Sequence, residues 1–169
     1  MSTPLRLLLV EDSARDAALL VRLLRQGQFE VVFERVETVA GMETALEQGW
    51  DLIIADHSMP SFGAEAALEM LQLRNLDLPL IMVSGTISDE AAIEAMKRGA
   101  ADYLLKDRLN RLGEAVHRVL AEKRLRAEKE EAEARIRFQA RLLEAVEQAV
   151  IATNLDGIII YWNTFAERL

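Results

Sequence analysis

The sequence contains no cysteine, which excludes disulfide frameworks, thiolate catalysis and cysteine-ligated zinc sites. It also lacks any apolar run near the roughly 20 residues that a membrane-spanning helix needs. The apolar run close to its N-terminus is too short for a secretory signal. Lys and Arg number 20 against 28 Asp and Glu, and the resulting net charge of -8 argues against a surface that coats nucleic acid. We therefore expect a soluble cytoplasmic protein with neither a nucleic-acid nor a membrane partner.

The charge is distributed unevenly along the 169 residues. Residues 1–108 carry 18 acidic and 10 basic side chains, whereas residues 109–169 carry 10 of each. This length suits one domain of about 100–150 residues with a short remainder. We predict a domain over residues 1–120, a helical linker over residues 121–148 and the start of another unit over residues 149–169.

In the first 108 residues, short apolar runs alternate with amphipathic segments that end at glycine. Strands are predicted at 5–10, 29–33, 51–56, 79–84 and 102–106. Helices are predicted at 13–26, where Ser13 and Asp16 resemble a capping box, at 42–48, at 64–73, and from Ser88 to a stop at Gly99. The fivefold βα repeat predicts an α/β fold, an open parallel sheet with helices on both faces.

Polar residues stand at the ends of four of these strands, where open parallel sheets bind ligands. Glu11 and Asp12 follow the first strand, Asp56 ends the third, Ser84 the fourth and Lys106 the fifth. Three carboxylates in one place repel one another unless a cation neutralises them, and an all-oxygen ligand set suits Mg²⁺. A Mg²⁺ ion and an ammonium group on either side of one aspartate form a site for a phosphoryl group on that aspartate. The Ser84 hydroxyl would donate to a phosphoryl oxygen.

These residues and their neighbours resemble the receiver domain of two-component response regulators. The matching segments are Leu8-Leu9-Val10-Glu11-Asp12, Asp51-Leu52-Ile53-Ile54-Ala55-Asp56 followed by Met59-Pro60, Ile81-Met82-Val83-Ser84-Gly85, and Asp102-Tyr103-Leu104-Leu105-Lys106. The resemblance covers about residues 4–120. It implies a flavodoxin-like, doubly wound sheet with strand order 2-1-3-4-5 and phosphorylation by a sensor histidine kinase or phosphotransfer protein.

The resemblance also implies a role for each of seven residues. These are Asp56 as phospho-acceptor, Asp12 as direct Mg²⁺ ligand, Glu11 as its acidic neighbour acting through water, the Ser58 carbonyl as a further ligand, Ser84 as switch hydroxyl, Tyr103 as rotating aromatic and Lys106 as phosphate-bound cation. Ser58 and Thr86 are also expected to tune hydrolysis of the phosphoryl group by controlling access of water.

Two positions depart from the family pattern. Asp107 stands where proline commonly follows the lysine, so no cis peptide bond is expected there, since a cis bond without proline costs about 3 kcal/mol. Ser61-Phe62-Gly63 stands where the family often has an Asp-Gly pair. Neither departure removes a phosphorylation residue, and both affect the loops that partners contact.

The segment after the fifth strand resembles the signalling helices that join receivers to downstream domains. Spacings of four and three place Leu125, Lys129, Ala132, Ile136, Gln139, Leu143, Val146 and Val150 on one polar-diluted seam. This seam predicts a coiled coil that makes a homodimer through residues 110–148, and a solvated helix without a partner is the alternative. Val116, Val119 and Leu120 lie off the seam and are expected to pack against the sheet.

The final residues predict a β-hairpin followed by a short helix. Two β-rich runs, 149–153 and 158–162, flank Asn154-Leu155-Asp156-Gly157, and Asn163-Thr164 would cap a helix that runs to Leu169. This stretch resembles the opening of a PAS sensor domain. A hairpin of this kind is not stable alone, so we expect a fragment of a longer protein with a further output module.

The sequence favours a phosphorylation-controlled signalling switch over an enzyme. One alternative is a Mg²⁺-dependent phosphohydrolase with Asp56 as nucleophile, but Glu11-Asp12 does not fit the usual spacing of its aspartates and no insertion supplies a substrate-closing cap. The other alternative is a constitutive dimeric adaptor that no longer accepts phosphate, against which the complete set of site residues argues.

Overall fold

The computed structural model describes residues 2–60, 62–85, 89–145 and 148–168. The expectations for Ser61, Thr86, Ser88, Val146 and Leu169 lie outside these described residues. Contacts divide the chain into two compact units, Met1–Lys123 and Arg124–Leu169. No helix in the described ranges is both long and apolar enough to cross a bilayer.

The first unit is built on a parallel sheet of five strands in the order β2-β1-β3-β4-β5. The strands are β1 Thr3–Val10, β2 Phe29–Val36, β3 Leu52–Asp56, β4 Leu80–Ser84 and β5 Asp102–Leu105. The predicted flavodoxin-like order is therefore confirmed. The second strand is longer than predicted because it pairs with β1 along its whole length, from Thr3 opposite Phe29 to Val10 opposite Val36.

Helices cover both faces of this sheet, as predicted. They are α1 Ala14–Gln26, α2 Val39–Ala45, α3 Ala64–Leu73, α4 Asp89–Lys97 and α5 Leu112–Glu144. Because side chains alternate along a strand, Leu7 and Leu9 of β1 enter a core formed with α1 and the start of α5. Leu8 and Val10 enter a second core formed with α2, α3 and α4. Strands buried on both faces explain their almost continuous apolar sequence.

The second helix differs from its predicted span of 42–48, since it begins and ends three residues earlier. Thr38 caps its N-terminus, where the hydroxyl oxygen accepts a hydrogen bond from the Gly41 N–H at 3.1 Å. At its C-terminus the Trp50 indole N–H donates to the Ala45 carbonyl at 2.7 Å. The same carbonyl also accepts from the Gln48 N–H at 3.0 Å, so the last turn of the helix has both a backbone and a side-chain donor.

A 3₁₀ helix, Lys106–Arg111, leads from β5 into α5. In the first turns of α5, Val116 and Val119 are buried against the sheet and Leu120 is partly buried, as the sequence predicted. Within the described ranges no peptide bond is cis, which agrees with the expectation for Asp107.

The second unit shows that α5 ends at Glu144 and not at residue 148 as predicted. The Asn163 side-chain N–H₂ group donates to the carbonyls of Leu143 at 3.1 Å and Gln148 at 2.9 Å. Asn163 thus satisfies a carbonyl of the last turn. Val150 lies beyond the helix, where its N–H donates to the Asn163 side chain, so the predicted seam does not extend to Val150.

The predicted hairpin is present in the second unit as the antiparallel strands β6 Ile151–Thr153 and β7 Ile159–Trp162. Its turn is held by the Asn154 side-chain oxygen, which accepts from the N–H groups of Asp156 and Ile158. Gly157 has φ +79°, a left-handed conformation that favours glycine. A short 3₁₀ helix, Ala166–Arg168, follows and is capped by Asn163, as expected.

Glu144 connects the end of α5 to this hairpin region. Its carboxylate accepts from the Thr164 N–H at 2.8 Å, the Thr164 hydroxyl at 2.7 Å and the Tyr161 hydroxyl at 2.9 Å. The hydrogen bonds from Thr164 and Tyr161 lower the pKa of Glu144 below its ordinary value, because they stabilise the ionised form.

Candidate functional site

The carboxyl ends of β1, β3 and β5 bring an acidic cluster and a lysine to one edge of the sheet. Glu11 and Asp12 directly follow β1, Asp56 is the last residue of β3, and Lys106 directly follows β5. One carboxylate oxygen from each of Glu11, Asp12 and Asp56 lies within 4.8 Å of the others. Residues that are far apart in sequence meet here because parallel strands end at the same edge.

Lys106 lies among three carboxylates. Its Nζ is 2.8 Å from Asp56 Oδ2, 3.4 Å from Glu11 Oε2 and 2.6 Å from Asp16 Oδ2. The sequence predicted that Lys106, Glu11 and Asp56 would meet. From the sequence, Asp16 was assigned only to the cap of the first helix. The one sign of a role at the site was its position, an acidic residue in the first helical turn after Glu11 and Asp12.

Burial and charge set the ionisation of this cluster. Asp56 is 6% exposed and Glu11 1% exposed, and burial raises the pKa of Glu11 above its ordinary value. The hydrogen bond from Lys106 lowers the pKa of Asp16. Burial alone would lower the pKa of Lys106, but its hydrogen bonds to Asp16 and Asp56 outweigh burial and raise it. Lys106 is therefore a fixed positive charge at neutral pH.

Hydrogen-bond donors hold the Asp56 and Glu11 carboxylates and the backbone of Glu11 in place. The Ser58 N–H donates to Asp56 Oδ1 at 2.8 Å, so the two oxygens of Asp56 have different partners, Ser58 and Lys106. The Ser13 N–H donates to Glu11 Oε1 at 3.0 Å. On the neighbouring strand β2, Arg35 Nη1 donates to the carbonyl of Glu11 at 2.9 Å.

Arg35 is a second residue that sequence reasoning missed. Its Nη1 also lies 3.2 Å from the Asp12 carbonyl and 3.0 Å from a carboxylate oxygen of Glu37. By holding two successive carbonyls, Arg35 fixes the backbone that carries Glu11 and Asp12. A basic residue near the end of the strand adjacent to β1 was the only signal in the sequence.

The two residues expected to respond to phosphorylation lie on β4 and β5. Ser84 is fully buried at the end of β4, directly after Val83, whose register partner is Asp56. Tyr103 of β5 is the register partner of Met82 in β4. It is partly buried against the core that the sheet forms with α2, α3 and α4. Ser84 is thus one residue beyond the strand neighbour of Asp56, and Tyr103 belongs to the core beside the cluster.

The donor set of the cluster fits a magnesium ion. Glu11, Asp12 and Asp56 offer oxygen ligands alone, and Mg²⁺ is bound in proteins by one or two carboxylates together with several waters. Asp12 is exposed, which leaves room for those waters. The residues present are therefore compatible with the predicted metal.

Comparison with known proteins decides the family. The model of the response regulator receiver domain matches residues 7–117, which is more than half of the chain. The chain belongs to the response regulator receiver family. Receiver domains are phosphorylation-controlled switches of two-component systems, they bind Mg²⁺ at an acidic site, and their phosphoryl donors are histidine kinases or phosphotransfer proteins.

Two relatives and one solved structure illustrate the match. The chain is 34% identical over 108 residues to the two-component response regulator ARR10 of Arabidopsis thaliana, which covers 60% of this chain and 18% of the relative. It is 32% identical over 100 residues to the transcriptional regulatory protein ZraR of Escherichia coli K12, covering 59% of this chain and 22% of the relative. The receiver domain of the Francisella response regulator 1452 shares its fold, with a TM-score of 0.62, 22% identity and coverage of 70% of this chain and 98% of that one.

The matched region is thus only a minor part of the curated relatives. The aligned segment covers 22% of the length of ZraR and 18% of the length of ARR10. The functions of the remaining parts of those relatives are not transferred to this chain.

Proposed function

We propose that Asp56 of this receiver accepts a phosphoryl group from a phosphohistidine on a sensor histidine kinase or phosphotransfer protein. The observation that carries the proposal is the position of Lys106 Nζ, 2.8 Å from Asp56 Oδ2, beside carboxylates whose oxygens fit Mg²⁺. An ammonium group and oxygen ligands suited to a metal ion, both next to one buried aspartate, suit the transfer of a doubly charged group.

In the proposed reaction, an oxygen of the Asp56 carboxylate forms a bond to phosphorus while the P–N bond of the phosphohistidine breaks. The electron pair of that bond stays on the imidazole nitrogen, which takes up a proton. Lys106 neutralises charge on the phosphoryl oxygens. Asp12, Asp56 and the Ser58 carbonyl would hold Mg²⁺, with Glu11 acting through water, and the ion would supply further positive charge to the phosphoryl oxygens.

The proposed response to phosphorylation uses the two residues on β4 and β5. The Ser84 hydroxyl would donate to a phosphoryl oxygen, and Tyr103 would repack because its strand lies next to Ser84. We further propose that α5 makes a homodimer within the predicted span 110–148, with a receiver over residues 1–120, a helical linker over residues 121–148 and a PAS-type unit beginning in residues 149–169. A new charge that biases a two-state element is the physical basis of such a switch.

The direct test is intact mass spectrometry of the chain incubated with Mg²⁺ and acetyl phosphate. We expect the wild type to gain one phosphoryl group and Asp56→Ala to gain none. Asp51→Asn is the matched control, since Asp51 lies beyond the other end of β3 and accepts a hydrogen bond from the Arg6 N–H, which an amide oxygen also accepts. This control should be phosphorylated as the wild type is.

Two results would contradict the proposal. If the wild type gains no phosphoryl group at any Mg²⁺ concentration, the chain is a constitutive module. If it releases inorganic phosphate catalytically from small phosphate esters, it is a phosphohydrolase.

A further inference from the structure

The carboxylate nearest to Lys106 belongs to Asp16 and not to the proposed phospho-acceptor Asp56. Asp16 Oδ2 is 2.6 Å from Lys106 Nζ, compared with 2.8 Å for Asp56 Oδ2 and 3.4 Å for Glu11 Oε2. An ammonium group has three N–H donors, and here three carboxylates, one each from Glu11, Asp16 and Asp56, take all of them. A phosphoryl group on Asp56 can take the donor that now points to the Asp56 carboxylate, but it can accept a second N–H from Lys106 only if Asp16 or Glu11 gives up its own.

The capping of α1 does not account for the orientation of the Asp16 side chain. Asp16 is the third residue after the cap Ser13, and in a reciprocal capping box its carboxylate would accept from the Ser13 N–H. That N–H instead lies 3.0 Å from Glu11 Oε1. The remaining half of the cap runs from the Asp16 backbone N–H to the Ser13 hydroxyl at 3.2 Å and does not involve the Asp16 carboxylate.

Asp16 also adds negative charge where phosphorylation adds more. The transfer replaces one carboxylate charge on Asp56 with about two on the phosphoryl group. The Asp16 carboxylate is 35% exposed, so solvent screens it in part, but its ion pair with Lys106 is direct. Both its charge and its hold on the ammonium group oppose binding of the phosphoryl group.

We propose that Asp16 is a positioning residue for Lys106, which holds the ammonium group in the unphosphorylated state and must release it when a phosphoryl group is bound. Asp16 thereby weakens the phosphorylated state and makes it easier to reverse. This inference rests on the proposed role of Asp56.

The test uses beryllofluoride, a phosphoryl mimic that binds an aspartate carboxylate, with Mg²⁺ and the full chain, and its dissociation constant is measured by fluorine NMR. We expect Asp16→Asn to bind beryllofluoride about two- to fivefold more tightly than the wild type, the size expected for a partly exposed ion pair. Asp16→Glu should restore the wild-type value. The matched control is Glu43→Gln, which removes one charge and one ion pair, with Arg74 at 3.0 Å, outside the acidic cluster, and it should leave the value unchanged.

A second measurement reports on Lys106 without beryllofluoride. The nitrogen-15 signal of its side-chain ammonium group, assigned by its loss in Lys106→Met, should shift in Asp16→Asn and stay in place in Glu43→Gln. This shift shows that Asp16 contacts Lys106 in solution, and the tighter binding of beryllofluoride then shows that the contact opposes the phosphorylated state.

The outcomes separate the two proposals. If the wild type binds no beryllofluoride, the proposed function of Asp56 fails. If the wild type binds it but Asp16→Asn binds equally or less tightly, or leaves the Lys106 signal unchanged, the role of Asp16 alone is overturned.

Discussion

Gly63 shows how tightly the loop after β3 is packed against the candidate phospho-acceptor. A Cβ atom on Gly63 would lie 3.1 Å from the carbonyl oxygen of Asp56 and 3.2 Å from that of His57. Both neighbours are backbone atoms, so neither can move aside without moving Asp56. Directly after β4, a Cβ on Gly85 would meet no atom of the described residues within 4 Å. Of these two glycines, Gly63 therefore lies where the backbone leaves no room for a side chain, whereas Gly85 does not.

We expect Gly63→Ala to slow phosphorylation by acetyl phosphate and to lower the free energy of unfolding by about 1–3 kcal/mol, the usual cost of overpacking. Gly85→Ala is the control and should change neither quantity. The measurements are the rate of phosphoryl gain by intact mass and unfolding in urea. Equal behaviour of the two variants would contradict the steric argument.

Sequence reasoning at the residue scale succeeded where a strand end fixes a position. Glu11, Asp56 and Lys106 meet because each stands at the end of an apolar run, and such runs are visible in the sequence. Asp16 and Arg35 were missed, because their partners lie 90 and 24 residues away and depend on the final packing of side chains. Local patterns assign such residues to caps or strands and do not reveal a second use.

At the scale of secondary-structure elements, the end of α1 and the start of α5 approach through two glycines. A Cβ on Gly27 would lie 3.3 Å from the Gly113 Cα and 3.3 Å from the Leu24 carbonyl oxygen. A Cβ on Gly113 would lie 3.4 Å from the Gly27 Cα. The helices also share a core in which Leu20, Leu24 and Val116 are buried, so the backbones cannot separate without opening it.

Gly27→Ala should therefore lower the free energy of unfolding by about 1 kcal/mol or more, because overpacking against backbone outweighs any gain in backbone entropy. Gly49→Ala serves as the comparison, since its Cβ would contact only the Arg6 guanidinium at 3.7 Å. We expect that change to alter stability by a few tenths of a kcal/mol at most. Chemical denaturation of both variants measures the difference, and a Gly27→Ala protein as stable as Gly49→Ala would refute it.

Beyond its buried first turns, α5 exposes apolar side chains in the pattern of the predicted seam. Leu125 is 67% exposed, Ile136 64% and Leu143 42%. Phe138 is 62% exposed but lies off the seam. Exposure alone does not distinguish a coiled coil from a solvated helix. In a coiled coil, however, a substitution on the seam weakens the dimer and one off the seam does not, so mutation can separate the two.

If α5 forms the proposed homodimer, Ile136→Asn should shift the chain toward monomer, because a polar residue at a seam position weakens apolar packing. Phe138→Asn removes a similarly exposed apolar side chain and should leave the oligomeric state unchanged. Sedimentation over a range of protein concentrations measures both. A monomeric wild type, or equal effects of the two substitutions, would favour the solvated helix.

The prediction of elements from sequence failed mainly at helix ends. All five strands of the sheet were found, because buried parallel strands are almost continuously apolar. The ends of α2 and α5 were placed too late, and in each helix a carbonyl of the last turn accepts from a side chain further along the chain, that of Trp50 or of Asn163. Both side chains lie beyond the helices they contact, so the hydrophobic periodicity of the helix does not predict these contacts.

At the scale of the whole molecule, the acidic excess of the first 108 residues makes the stability of the fold sensitive to divalent cations. The net charge of -8 lies entirely in this part of the chain, which also carries the acidic cluster. A ligand that binds the folded state alone stabilises it by mass action, by about 2.7 kcal/mol at a hundredfold excess over its dissociation constant. Stability should therefore report on metal binding directly.

We expect Mg²⁺ to raise the melting temperature of the wild type and to have much less effect on Asp12→Asn. Asp12 is exposed, so this substitution removes a proposed metal ligand with little change in packing. Asp51→Asn removes the same charge elsewhere and should keep the wild-type response. The measurement is thermal unfolding with and without Mg²⁺ at constant ionic strength, and a similar shift in all three proteins would indicate general charge screening.

The position of Lys106 along the chain also determines when the acidic site can form during synthesis, which proceeds from the N-terminus. Lys106 contacts Glu11, Asp16 and Asp56 across 95, 90 and 50 residues of chain. The ribosome therefore makes all three carboxylates long before the lysine, and a nascent chain that ends before residue 106 holds them without that ammonium group. Because Lys106 follows β5, the ion pairs at this site can close only after the last strand of the sheet has been made.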